Sequence, residues 1–391
     1  MAEPAPASDL VSAPAYGSGA LADVGPSLLS ALGVTGETNT LGLPELRRAC
    51  LFVVDGLGWT QLRANPESAP YLSSLTGRPL TAGFPATTVT SLASLGTGLP
   101  PGEHGLPGYA SYVEDVDAVV NWLAWRPVGS HEDLRDRLVP EAVQARTTVW
   151  ERAEAAGVAT TICTFDNFAG TGLTRAVLRG GRWGGTLSEG DAVARAAAAL
   201  DRGHRSLVYV YVSALDLVGH MRGPHTDAWR AQLGIVDRVA EQLADRLPAD
   251  ATLFITADHG MVAVPEEAKL DYDATPSLQD DVVALAGEPR MRHVHVRRGA
   301  ATDVLAAWTA VLGEQWLVLD RDDAIARGFF GPTVTTESRS RIGDVLALAL
   351  GVGGVVERRK APRLSAMPGQ HGSLTDDELL IPLLSTAPSA L

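Results

Sequence analysis

Continuous apolar runs, each followed by polar residues, recur along this chain of 391 residues. They lie at 49–55 (ACLFVVD), 159–165, 206–212 (SLVYVYV) and 252–257 (TLFITA). Runs of this length without alternation are typical of strands buried on both faces of a sheet. Ala-rich segments with a helical pattern lie between them, at 148–156, 188–200 and 227–247. The alternation predicts an α/β fold: a doubly wound, mostly parallel sheet with helices on both faces.

The pattern changes after residue 261. Strand-like segments at 293–298 and 316–319 flank a helix-like segment at 303–312, which together predict a small βαβ-like unit. We therefore expect residues 262–365 to form an inserted cap, and residues 21–261 with 366–391 to form the catalytic domain. Residues 1–20 are rich in Ala, Pro and Ser and are predicted to be a mobile leader.

Charge and composition narrow the classes of partner. The net charge is −14, whereas a nucleic-acid coat protein or a binder of anionic membranes needs a basic surface. No apolar stretch approaches the roughly 18 residues that span a bilayer, and the N-terminus lacks the basic start and apolar core of a secretion signal. We expect a cytoplasmic protein that acts on a small molecule. Two cysteines are too few for a cysteine-based metal site.

Residues that bind metals follow the predicted strands. These are Asp55, the pair Asp216 and His220 four residues apart, the adjacent Asp258 and His259, and His371 near the C-terminus. In parallel sheets, ligands bind at the carboxyl ends of strands, and residues four apart on a helix share one face. A single Asp-Gly is usually a turn and a single histidine is usually structural, but the joint pattern indicates a metal site. Nitrogen and oxygen ligands without thiolate favour zinc, and less often manganese or iron.

Several hydroxyl groups lie between the first two ligand groups. The segment 84–91 reads FPATTVTS and contains Thr87, Thr88, Thr90 and Ser91. A hydroxyl at a helix N-terminus beside a metal is a candidate nucleophile, because the ion lowers its pKa and the helix amides hold a phosphate. These residues could equally serve only to cap the following helix.

The order of the motifs resembles the alkaline phosphatase superfamily, and within it the nucleotide pyrophosphatase/phosphodiesterase branch. The resemblance is carried by VVDGLGW, FPATTVTSLASLGTGLPPGEHG, DLVGHMRGP, TADHGM and GQHGS. It covers residues 51–261 and the segment around His371, and it leaves out the cap and the leader. It implies an alkaline-phosphatase-like fold.

The resemblance also implies two zinc ions and a nucleophile. One ion would be held by Asp216, His220 and His371, and the other by Asp55, Asp258 and His259. The nucleophile would be Thr88, bridging to the second ion, with Thr87 as the second candidate. Nucleotide-cleaving members have an Asn that contacts the phosphoryl oxygen where this chain has Ser91, which leaves phosphate recognition to a shorter side chain. The Cys/Ser-x-Pro-x-Arg signature of sulfatases is absent from the sequence.

The expected function is a two-metal phosphoesterase that hydrolyses phosphodiester or pyrophosphate bonds through a phospho-threonine intermediate. Tyr109 and nearby aromatic residues would stack on a nucleobase, or would instead form the core of their own segment. Arg222, close to His220 in the sequence, would supply a cation for the dianion of a phosphomonoester, so phosphomonoesters are an alternative class of substrate. The sequence is also compatible with a phosphonate (C–P) hydrolase and with a zinc-stabilised, non-catalytic binding protein. His104 and His225 are further candidates near the site, although a structural role is expected for both.

Overall fold

The structure, a computed structural model, describes residues 11–386. Its strands are β1 (Arg48–Val54), β2 (Thr76–Thr81), β3 (Ala110–Val113), β4 (Ala118–Asn121), β5 (Arg126–Pro127), β6 (Ala159–Cys163), β7 (Arg182–Trp183), β8 (Ser206–Val212), β9 (Ala251–Thr256), β10 (Val262–Ala263), β11 (Lys269–Asp271), β12 (Val282–Glu288), β13 (Met291–Val296), β14 (Trp316–Asp320), β15 (Val345–Ala349), β16 (Gly354–Val356), β17 (Gly369–Gln370) and β18 (Leu380–Ser385).

The α-helices of the described residues are α1 (Val24–Ala31), α2 (Trp59–Ala64), α3 (Pro70–Ser74), α4 (Thr88–Thr97), α5 (Pro101–His104), α6 (Pro140–Val143), α7 (Val149–Ala155), α8 (Gly172–Val177), α9 (Glu189–Leu200), α10 (Ala214–Arg222), α11 (Asp227–Arg246), α12 (Ala301–Leu312), α13 (Arg321–Ala326), α14 (Thr336–Arg341), α15 (Pro362–Ala366) and α16 (Asp376–Leu379). Within residues 11–386, no helix is long and apolar enough to cross a membrane.

The buried apolar runs form the centre of a seven-stranded sheet. Its order is β2-β18-β9-β1-β8-β6-β7, in which β9, β1, β8, β6 and β7 run parallel and β18 is antiparallel to both of its neighbours. Every residue of β1 and β8 is buried, because both faces of the sheet are covered by helices such as α7, α9 and α11. The predicted α/β fold with a mostly parallel sheet is confirmed.

A second, smaller sheet lies within the range predicted as the cap. Its order is β12-β13-β15-β14, all antiparallel, and α12 packs on it through Val304 and Trp308. The predicted βαβ-like unit is present but split, because β15 pairs between β13 and β14. The short strands β10 and β17, which precede and follow this region in the chain, pair antiparallel to each other.

Two further segments complete the molecule. The sheet β3-β4-β5 is joined to the rest of the molecule by Trp122 and Trp125, which are fully buried with ring centroids 5.0 Å apart and belong to the main hydrophobic core. Neither ring is therefore free to stack on a nucleobase. Residues 11–20, which were predicted to belong to a mobile leader, are instead held in the fold. The Tyr16 hydroxyl donates to the Phe329 carbonyl and accepts from the Phe84 amide. Residues 1–10 of that leader lie outside the described residues.

Candidate active site

The candidate site lies at the carboxyl ends of the central parallel strands. Asp55 follows β1 directly, Asp258 lies two residues after β9, and Asp216 lies in α10, which follows β8. Since β1 pairs with both β8 and β9, the three carboxylates meet at one edge of the sheet. Gly56 makes this possible: its φ is +75°, and a Cβ there would lie 3.0 Å from the Asp216 backbone.

The first predicted triad is assembled in the structure. Asp216 and His220 lie one turn apart on α10, with 3.4 Å between Asp216 Oδ1 and His220 Nε2. His371, which follows β17, brings its Nε2 to 3.2 Å from His220 Nε2. One ligand atom from each residue lies within 4.8 Å of the other two, so the three side chains can share one ion.

The structure also brings together the second predicted set, Asp55, Asp258 and His259. His259 Nε2 lies 3.5 Å from Asp55 Oδ1 and 3.6 Å from Asp258 Oδ2, and the Asp55 and Asp258 carboxylates adjoin each other. Asp216 lies close to this set too, since it also forms a compact group with Asp55 and His259. Asp216 therefore belongs to both groups. The reason is geometric, because the close approach at Gly56 brings α10 against the end of β1.

The histidines are oriented to present Nε2 to a metal. The Nδ1 atoms of His220, His259 and His371 lie 2.8–3.0 Å from the backbone carbonyls of Gly369, Gly260 and Ala86, respectively. A carbonyl oxygen only accepts, so each Nδ1 carries the proton and each Nε2 has a free lone pair. This is the usual outer support of metal-binding histidines.

The carboxylates are left with oxygens that need a cation. Among the described residues, Asp55 Oδ1, Asp216 Oδ1 and Asp258 Oδ2 are buried and make no hydrogen bond. Burial raises the pKa of Asp55 well above its usual range, and the neighbouring Asp258 and Asp216 carboxylates raise it further. Burial, with His259 and His220 nearby, lowers the pKa of His371 well below its usual range, which keeps the imidazole neutral. This donor set fits divalent ions such as zinc.

Thr88 lies at the first position of the ten-residue helix α4. Its Oγ1 is 3.1 Å from His259 Nε2, so it adjoins the second ligand group. Thr87 precedes the helix, and its buried hydroxyl has no hydrogen-bond partner among the described residues. Both threonines line a cavity of about 550 Å³, but only Thr88 contacts a ligand histidine.

The other predicted residues divide into those that reach this cavity and those that do not. Tyr109 lines it, with its hydroxyl held by the Asn121 side chain. Ser91 does not line it and is fully buried, so the predicted phosphate contact is not supported. Each residue of a helix turns by about 100°, and the wall at this point is formed by the next side chain, Leu92.

The remaining candidates lie away from the cavity. His104 is buried in contact with Ser94, and His225 packs against Asn65 and Trp229. Arg222 is exposed at the end of α10 and does not line the cavity. These positions match structural roles for the two histidines.

Two site residues were missed in the sequence. Glu288, at the end of β12 in the cap, is buried beside the site with Oε2 3.6 Å from His371 Nδ1, and burial raises its pKa well above its usual range. Tyr211, in β8, donates its hydroxyl to Asp55 Oδ2 and so supports that ligand from behind. A tyrosine within an apolar strand was a usable signal for Tyr211, whereas nothing local to 282–288 indicated where Glu288 would lie.

Comparisons with known proteins agree with this geometry. Residues 49–374 match the model of the family "Type I phosphodiesterase / nucleotide pyrophosphatase". Murine ectonucleotide pyrophosphatase / phosphodiesterase 5 is similar in structure, with a TM-score of 0.66 and 16% identity over 86% of this chain and 87% of that one. The human protein of the same name has a TM-score of 0.67 and 19% identity, covering 87% and 88%. No curated protein sequence matches. The chain belongs to the type I phosphodiesterase / nucleotide pyrophosphatase family and is a metal-dependent phosphoester hydrolase.

Proposed function

We propose that this protein is a two-metal phosphodiesterase that cleaves phosphodiester or pyrophosphate bonds of a small molecule, with nucleotides among its substrates, and that Thr88 is the nucleophile. One observation carries the choice of substrate. Among the described residues that line the active-site cavity there is no lysine or arginine, and one part of its wall is apolar. That part includes Leu92, Leu123, Phe168, Leu173 and Leu217.

The charge of the substrate explains why this lining favours diesters. A monoester dianion needs cationic side chains in addition to the metals, and Arg222, the candidate for that role, does not line the cavity. A phosphonate with a carboxylate has the same need. A diester carries one negative charge on phosphorus and a second organic substituent, which the apolar wall can receive.

The chemical step follows from the position of Thr88. Its Oγ1 loses its proton and attacks phosphorus, the Oγ1–phosphorus bond forms, and the bond to the leaving group breaks on the opposite side, with the leaving group departing as an alcohol or phosphate that takes up one proton. Water then attacks the phospho-threonine, its hydroxyl bonds to phosphorus, the Oγ1–phosphorus bond breaks, and the second proton of the water returns to Thr88. When bound at the two ligand groups, zinc, or manganese or iron in its place, would lower the pKa of the attacking hydroxyl and offset the charge of the phosphoryl oxygens. His259, whose Nε2 faces Thr88, and Tyr211, which holds Asp55, keep this edge in place.

A structural neighbour supports both parts of the proposal. An inactive threonine-to-alanine variant of the murine neighbour has been solved in complex with AMP. This supports a nucleotide as substrate and a threonine as the essential residue in the present chain.

The test is a substrate panel with and without chelator. We expect bis-p-nitrophenyl phosphate to be hydrolysed faster than p-nitrophenyl phosphate or phosphonoacetate, with loss of activity in chelator and recovery with zinc. Thr88→Ala should lower kcat by about 10³-fold or more while zinc content stays at the wild-type level. Thr97→Ala, a buried threonine at the other end of α4, is the matched control.

Three results would contradict the proposal. Chelator-insensitive turnover would exclude metal-dependent catalysis, and no turnover after zinc reconstitution would favour a non-catalytic binding protein. Full loss in Thr87→Ala with substantial activity in Thr88→Ala would move the nucleophile to Thr87.

A further inference from the structure

A second cavity adjoins the active site. Its charged lining is mainly basic, whereas the charged residues that line the active-site cavity are acidic. The volume of this second cavity is about 690 Å³, and it lies between the β4–β5 hairpin and the segment 357–367 that leads back from the cap. Five cationic side chains line it against one carboxylate, Glu357. The cations are Arg126, Arg292, Arg359, Lys360 and Arg363. We call this cavity the basic groove; it stands out in a chain whose net charge is −14.

Part of this charge is already paired within the fold. Arg292 donates to the Val355 carbonyl and lies 3.4 Å from Glu357, and Lys360 lies 4.0 Å from the same carboxylate. Glu357 is therefore the partner of Arg292 and Lys360. It does not offset the positive charge of the other cations that line the groove.

The other three cations, Arg126, Arg359 and Arg363, are exposed, and no side-chain hydrogen bond or close ion pair holds them within residues 11–386. Arg126 lies within electrostatic reach of Asp133, but that carboxylate is already paired with Arg135. An isolated exposed arginine is normally only hydrated, but these three come from two separate segments and line one concave surface. Gly129 of the hairpin approaches the Lys360 carbonyl so closely that a Cβ would lie 3.3 Å from it, so the two walls are held together.

The basic groove adjoins the active-site cavity. Tyr109, Leu364 and Met367 line both cavities. These three side chains mark the place where a molecule with its phosphorus at Thr88 would pass into the groove. The catalytic cavity lacks lysine and arginine among its described lining residues, whereas the groove supplies arginines, whose planar guanidinium groups suit phosphate and carboxylate.

We propose that the basic groove binds a second anionic group, a phosphate or a carboxylate, carried by the same substrate away from the scissile bond. This inference rests on the proposed phosphodiesterase function. The preferred substrate is then a phosphodiester with an additional charged group, placed either on the retained side or on the leaving side. Arg126 and Arg363, on opposite walls, are specificity-determining residues and take no part in the chemical step.

The test compares substrates with and without a second anionic group away from the scissile bond. The reference is the p-nitrophenyl ester of thymidine 5′-monophosphate. The first arm is the 5′-p-nitrophenyl ester of thymidine 3′,5′-bisphosphate, which adds a phosphate on the retained side. The second arm is thymidine 5′-triphosphate, whose pyrophosphate leaving group carries a terminal phosphate beyond the scissile bond. The variants are Arg126→Gln, Arg363→Gln and the double variant, with Arg298→Gln, an exposed arginine in the cap, as control.

The measured quantity is the ratio of kcat/KM for the phosphate-bearing substrate to kcat/KM for the reference. Each single variant should lower this ratio by about fivefold in one of the two arms, and the double variant by more, through KM. Arg298→Gln should leave the ratio unchanged. The arm that responds identifies the side of the substrate that occupies the groove.

Different results overturn the inference. An equal fall for reference and phosphate-bearing substrates would show a structural role, and no fall in either arm would leave the groove without a function in binding. If the wild type hydrolyses none of the three, the proposed function fails, and the groove is then judged by binding alone. For that purpose, inorganic pyrophosphate is titrated into chelator-treated protein by calorimetry. Binding that the double variant weakens supports the groove, and equal or undetectable binding refutes it.

Discussion

A buried ion pair fastens the tip of the cap to the edge of the main sheet. Arg290 lies in the turn between β12 and β13, and Glu378 lies in α16. Both side chains are fully buried. Arg290 Nε lies 3.1 Å from Oε1 of Glu378, and Nη2 lies 2.7 Å from Oε2, which is a bidentate pair. Glu378 also accepts the Ser373 amide, and Arg290 donates to the Gly353 carbonyl. The pair therefore connects three segments close to His371.

We expect Glu378→Gln to lower the free energy of unfolding by about 3–5 kcal/mol. The change keeps the volume of the side chain but leaves the Arg290 charge buried without a counter-charge, and this stranded charge sets the magnitude. Arg290→Met should cost a similar amount, since it strands the carboxylate. The double variant should be less destabilised than the sum of the two, because neither charge then remains unpaired. Since Glu288 lies two residues before Arg290, zinc affinity should fall in the single variants as well.

Urea unfolding followed by circular dichroism measures the free energy of unfolding of each variant. The slopes of this free energy against urea concentration are compared, to confirm that all variants unfold in the same two-state transition. Glu241→Gln is the control, since it removes a carboxylate from the exposed pair with Arg238 and should change stability by less than about 0.5 kcal/mol. The reasoning is refuted if the stability of Glu378→Gln lies within about 0.5 kcal/mol of the wild type, the range of an exposed pair. It is also refuted if the losses in the single variants simply add.

Two further predictions concern buried polar groups. Burial lowers the pKa of His104 to about 3, so the folded protein keeps this imidazole neutral while the unfolded chain binds a proton below about 6.5. The contribution of His104 to the free energy of unfolding is therefore complete above pH 6.5 and is lost as the pH falls toward 3, by about 1.4 kcal/mol per pH unit. In urea unfolding, the free energy of unfolding of His104→Gln should fall less steeply with falling pH than that of the wild type. An equal pH dependence in the two proteins would disprove this. Tyr211→Phe removes the hydrogen bond to Asp55 Oδ2 and should weaken zinc binding by about 10–100-fold in a chelator competition, whereas Tyr209→Phe, whose hydroxyl has no hydrogen-bond partner among the described residues, should not. Equal affinities in the two variants would contradict the supporting role of Tyr211.

The central strands could be predicted because strands that are buried on both faces have an almost entirely apolar composition. A run such as 206–212 is apolar at almost every position, which only a strand covered on both faces requires. Asp55, Asp216 and Asp258 could be selected as candidate ligands because parallel strands place their carboxyl ends at one edge, whatever the details of packing. His371 follows β17, outside the main sheet, and only the fold brings it to His220 at that edge.

The differences between expectation and structure have another cause. The sequence did not indicate that Asp216 adjoins both ligand groups, because this depends on how closely α10 approaches Gly56. The family's motif places Ser91 at the phosphate, but the direction of a side chain on α4 depends on the helix's rotation against its neighbours. Residues 11–20 resemble a leader because they are rich in Ala, Ser and Gly, yet the Tyr16 hydroxyl is held between Phe84 and Phe329.

The sequence by itself determined the class of fold, the metal-binding chemistry and the threonine-bearing helix, since each depends on local periodicity and on residues at strand ends. The tertiary structure alone decided which oxygens and nitrogens face one another, that Glu288 reaches the site from the cap, and that the basic groove adjoins the catalytic cavity. Those features bring together residues that are far apart along the chain, such as Arg126 and Lys360. Such proximity is set by packing between distant segments of the chain, and no local pattern in the sequence records it.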